Sequence, residues 1–98
     1  MAKAEIPKER LERYLEITKA ALEKVKVTPP KRSHLLKTAE EFLEMARAYY
    51  NDALFFYSQD NYVNAFACVN YAHGWLDAGA KLGLFDVGQD DKLFTLDA

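Results

Sequence analysis

The sequence predicts an all-α chain, an antiparallel three-helix bundle with an extended C-terminal tail, and three observations carry that expectation. Apolar residues recur at steps of three and four along three long stretches. The stretches are separated by Thr28-Pro29-Pro30 and by Ser58-Gln59-Asp60-Asn61, and the third runs into Gly83. Small residues alternate with large aromatics on both sides of the second break, so two helices can approach closely and interlock their rings. Helices are expected at about 6–26, 33–58 and 62–82, in one domain of residues 1–85, with a tail at 86–98.

The first helix is amphipathic. Pro7 suits a first helical turn, where its missing N–H costs little. Leu11, Tyr14, Leu15, Thr18, Leu22 and Val25 form one stripe, while Glu9, Glu12, Arg13, Glu16, Lys19 and Glu23 supply a charged opposite face. Thr28 disfavours helical angles because a proline follows it, and Thr28 or Ser33 is the candidate cap of the second helix.

The second helix repeats with unusual regularity. Leu35, Phe42, Tyr49 and Phe56 stand seven apart, Ala39, Ala46 and Ala53 fill the gaps, and Leu36, Leu43, Tyr50 and Tyr57 run alongside. This makes a wide apolar face, edged by Glu40, Glu44, Arg47 and Asn51. The third helix is apolar nearly all round, as expected of a central element, and only Asn64, Asn70, Asp77 and Lys81 form a polar line. Gly83 sits where a left-handed cap residue belongs, with Leu84 able to fold back on the last turn. The tail, with Asp90-Asp91 before Leu93-Phe94-Thr95-Leu96, either docks on the bundle or serves as an arm for another copy or partner.

Half of the 98 residues are apolar and the net charge is −2, which excludes both disorder and overall polybasic nucleic-acid binding. A lone Cys68 cannot form an internal disulfide and points to a reducing compartment, so a cytoplasmic location is expected. The N-terminal stretch turns charged too early for a secretory signal or membrane span, and no membrane association is expected.

Two resemblances lie in the helical hairpin. Tyr49, Ala53 and Phe56, followed by Tyr62, Ala65, Val69 and Ala72, are similar to one tetratricopeptide unit in their large-small-large spacing. Asp77 stands where that repeat closes on proline, and one unit cannot build a solenoid. More specifically, Tyr50-Asn51-Asp52-Ala53, Asp60-Asn61-Tyr62, Asn64-Ala65 and the run Tyr71-Ala72-His73-Gly74-Trp75-Leu76-Asp77-Ala78-Gly79, with Leu82-Gly83-Leu84-Phe85, resemble the archaeal family DUF357. The resemblance covers roughly Ala39 to Phe85 with specific residues. It implies an archaeal, cytoplasmic, three-helix protein and assigns no activity or functional residue.

Candidate sites follow from the residues alone. Asn70, His73 and Asp77 lie one helical turn apart around Gly74, a cluster that either satisfies its own polar groups or holds a small ligand or catalytic proton. Two ligands are too few for a metal, so no metal or cofactor is expected. Di-metal bundles need Glu-x-x-His pairs, and Lys31 and Asn70 stand three before His34 and His73. Arg32 and Arg47 lack the spaced histidine of HEPN-type ribonucleases, and neither a nucleophile elbow nor a phosphate loop is present. Catalysis is therefore not favoured.

Lys24, Lys26, Lys31, Arg32 and Lys37 make a basic corner without acids between Val25 and Ala39. Such a corner can contact phosphates, but no aromatic is interleaved to stack on bases. The aromatics themselves weigh more. Ten of the thirteen fall between Phe42 and Trp75, more than one apolar stripe on the first helix can cover. Tyr50, Phe55, Tyr71 and Trp75 are therefore the candidate interface, against a tail, a second copy or a partner. The favoured reading is a non-catalytic helical protein-interaction module able to self-associate. The alternatives are a nucleic-acid-binding accessory protein using the basic corner, and a ligand binder or enzyme using Asn70, His73 and Asp77.

Overall fold

The computed structural model describes residues 7–29 and 33–86. Three helices pack into an all-α bundle: α1 at Lys8–Lys24, α2 at His34–Ser58 and α3 at Tyr62–Lys81. Two short strands join them, β1 at Lys26–Val27 and β2 at Phe85–Asp86. Ile6, Lys31, Arg32 and the expected tail beyond Asp86 lie outside the described residues.

Local chemistry accounts for the helix ends. Pro7 stands just before α1, and its carbonyl accepts from the backbone N–H groups of Arg10 and Leu11, both at 3.1 Å. Ser33 is the cap of α2, its hydroxyl accepting from Leu36 N–H at 3.0 Å. Asn61 does the same for α3, accepting from Asn64 N–H at 3.3 Å. Between α2 and α3 the chain reverses through Asp60, which adopts a left-handed conformation at φ 56°, a setting Asp tolerates better than most residues. The third helix closes in a Schellman motif. Gly83 has φ 77°, Leu84 N–H donates to Gly79 C=O at 2.8 Å, and Gly83 N–H donates to Ala80 C=O at 3.1 Å.

The first helix ends at Lys24, two residues short of the expected bound at 26. Val25 turns to an extended conformation, and Lys26 and Val27 pair antiparallel with Asp86 and Phe85. Thr28 extends the clasp, its N–H donating to Leu84 C=O at 3.0 Å and its hydroxyl to Gly83 C=O at 2.7 Å. The partner of this segment lies nearly sixty residues downstream, so no local pattern announces it. The clasp stitches the α1–α2 connection to the segment that follows α3.

Helices α2 and α3 share the largest interface, and α1 leans on α3 more than on α2. Ala39, Ala46 and Ala53 are fully buried along one line of α2, opposite Ala65 and Ala72 of α3, and these small contacts let the hairpin close tightly. One part of the core, around Ala21, Leu76, Leu84 and Phe85, lies at the clasp. The other, around Leu11, Leu15, Ala53, Ala65 and Val69, lies towards the α2–α3 turn.

Candidate functional site

Because one residue advances a helix by about 100°, His73 and Trp75 leave α3 on nearly opposite sides. The third helix therefore carries two different surfaces, one towards α1 and one away from it.

The surface towards α1 holds the polar cluster. The walls of a groove of about 290 Å³ come from Tyr14, Ile17 and Thr18 of α1 and from Val69, Asn70, His73, Gly74 and Asp77 of α3. Within it His73 bridges the two helices, with Nδ1 at 3.3 Å from the Thr18 hydroxyl and Nε2 at 3.5 Å from an Asp77 carboxylate oxygen. An imidazole that donates from Nε2 to the carboxylate leaves Nδ1 to accept from Thr18. Thr18 is the buried polar residue of the core at 1% exposure. The predicted trio of Asn70, His73 and Asp77 thus shares one groove, and its anchor, Thr18, is a residue the sequence reading placed only in the apolar stripe of α1. The available signal was a hydroxyl within an otherwise Leu- and Tyr-lined stripe.

The surface away from α1 holds rings. Tyr71 stacks on Tyr49 of α2, with centroids 5.3 Å apart and planes at 26°. Trp75 meets Phe42 edge-on at 4.9 Å and 76°. A second, shallower groove runs over Gly74 and Ala78 between Tyr71 and Trp75, with Asn70 at its edge. Tyr71 is 63% exposed, whereas Trp75 is half-buried.

The other two aromatics stand apart from this pair. Phe55 is 60% exposed near the α2–α3 turn, beside Phe56. Tyr50 packs half-buried against the Leu11–Val69 part of the core, where burial and the charge of Glu23 raise its pKa. Across the same α1–α2 seam the Tyr57 hydroxyl donates to the Glu12 carboxylate, which holds the phenol protonated and pushes its pKa up to about 12.

Of the basic corner, Lys24, Lys26 and Lys37 are exposed, at the end of α1, in β1 and in the first turn of α2; Lys31 and Arg32 lie outside the described residues. Burial and the nearby Asp52 carboxylate push the Cys68 thiol up, the opposite of what a nucleophile needs. Among the described residues, no group of three or more His, Cys, Asp or Glu is placed to hold a metal ion. Nor is any helix there long and apolar enough to cross a membrane.

No curated protein matches the chain, and no solved structure does. The family described as "Protein of unknown function (DUF357)" matches residues 13–85, from the first turns of α1 through Phe85 of the clasp, and the chain belongs to that family.

Proposed function

We propose that this chain is a non-catalytic protein-interaction module that docks through the face of α3 turned away from α1. One observation carries the reading. The exposed stripe of α3, comprising Val63, Ala67, Asn70, Tyr71, Gly74 and Ala78, holds no charged side chain of its own; half-buried Asp77 borders it and Lys81 ends it, five turns from Val63. The equivalent face of α1 is Glu9, Arg13, Glu16, Lys19 and Glu23. A helix that only meets water has no reason to differ so strongly from its neighbour, and exposed tyrosine beside small residues suits an interface anchor. Half-buried Trp75, packed edge-on against Phe42, borders the same groove. A reducing cytoplasm suits the single Cys68, and the family resemblance suits an archaeal host.

The test is native co-purification under nuclease and high salt. A protein partner retained by the wild-type chain and by Lys24→Glu, and lost with Tyr71→Glu, supports the reading. Retention of the partner by Tyr71→Glu sinks it, as does recovery of nucleic acid that salt removes.

A further inference from the structure

The chain leaves the clasp at a defined place and in a defined direction. Strands β1 and β2 are antiparallel, with Val27 opposite Phe85 and Lys26 opposite Asp86. One further step of that register points at Val25, the residue on which α1 ends. Within the clasp β2 contacts α3, whereas β1 contacts α2. The segment that follows Asp86 therefore departs beside the C-terminal end of α1, on the side that faces α3. The groove between those two helices begins about two turns back along α1 from there, at Thr18.

Reach and composition agree with that direction. Tyr14, the far wall of the groove on α1, stands ten residues before Lys24, about 15 Å along the helix. Leu93 stands seven residues beyond Asp86, about 23–25 Å of extended chain. Chain length is thus sufficient to turn at the clasp and lay Leu93-Phe94-Thr95-Leu96 along the groove. The walls there suit it, because Tyr14 and Ile17 are half-buried and Val69 is buried, so apolar side chains laid against them leave water. The exposed ring of Tyr71 is a poorer destination, since it lies on the far side of α3 and the segment would have to cross that helix first.

We infer that residues 93–96 dock in the α1–α3 groove of their own chain, with the Phe94 ring on Tyr14 and Ile17, as a strap that ties α1 to α3. The first helix has most to gain from such a tie. Its contacts with α2 and α3 are fewer than those two helices share with each other, and the clasp holds it at one end only. The strap lies on the opposite side of α3 from the docking face proposed above, so each reading can fail without the other.

NMR spectroscopy of the full chain in dilute solution tests this. The expected result is a set of nuclear Overhauser contacts between the Phe94 ring and the Ile17 methyl groups, arising within one chain when labelled and unlabelled protein are mixed. Phe94→Asp should abolish them and speed amide exchange in α1 about tenfold or more relative to α2 and α3, with helical circular dichroism retained. Leu96→Asp gives a second reading of the same exchange from the other end of the run. Contacts found only between labelled and unlabelled chains overturn the strap in favour of a second copy. Absence of any contact from Phe94 to Tyr14 or Ile17 overturns it outright, as does α1 exchange indifferent to both substitutions. Partner loss with Tyr71→Glu is read on the other side of α3 and judges the docking face alone.

Discussion

The ring of Phe85 lies against Gly79 and occupies the space a side chain at that position would need. Phe85 is buried and held in the clasp, so it has little room to withdraw. Gly79→Ala is therefore expected to cost about 1–3 kcal/mol from overpacking, more than the roughly 1 kcal/mol gained in helix propensity. Gly74→Ala meets open space and should gain roughly 0.5–1 kcal/mol. Urea denaturation of dilute protein compares the two; equal effects would show that Phe85 does not seat on α3.

The Tyr57–Glu12 pair predicts a distinctive alkaline titration. A phenol whose pKa is raised to about 12 in the folded chain, from a normal value of 10.0, contributes stability that is whole below pH 10 and lost as pH rises through 12. Absorbance titration should show one tyrosine ionising near the top of that window. Glu12→Gln should bring it back towards the ordinary value, and failure to do so would remove the carboxylate as the cause.

His73 is expected to behave as a structural bridge. Its removal leaves the Thr18 hydroxyl, buried inside α1, without this partner, and such a loss costs about 1–3 kcal/mol. His73→Ala should lower the urea midpoint accordingly, and adding Thr18→Val should recover part of the loss. Unchanged stability in His73→Ala would instead favour the groove as a site held open for a ligand.

Leu76 is fully buried in the C-terminal half of α3, against the clasp end of the core. Leu76→Ala should cost about 2–5 kcal/mol by transfer and cavity terms. Phe55→Ala, at an exposed ring on α2, should stay within about 0.5 kcal/mol. A large effect at Phe55 would mean that the ring is covered in solution.

Local periodicity made most of the architecture legible. The seven-residue recurrence of Ala39, Ala46 and Ala53 marked the buried line of α2, Ser33 was one of its two candidate caps, and Gly83 marked the end of α3, whereas Asn61, the cap of α3, read only as part of the turn. What periodicity could not reveal was pairing over long separations. Val25 and Lys26 read as the end of the first helix until Phe85 and Asp86 are placed beside this segment. The groove was half legible for the same reason. Asn70, His73 and Asp77 announce themselves by spacing on one helix, whereas Thr18 joins them across 55 residues. Among the aromatics, side-chain type alone could not separate Tyr50, turned into the α1 seam, from Tyr71, which is exposed, because the distinction depends on where α1 lies.

The clasp also decides which part of the molecule can come loose. Pairing Lys26 and Val27 with Phe85 and Asp86 closes α2 and α3 into a latched loop, and α1 hangs from that loop by one end. Sub-global opening should then release α1 while the hairpin stays shut, so α1 amides are expected to exchange with solvent sooner than those of α2 and α3. Tyr14, Ile17 and Thr18, one wall of the His73 groove, ride on that detachable helix. His73 is already partly exposed in that groove, so lifting α1 would widen its access from one side while the α3 wall stays in place.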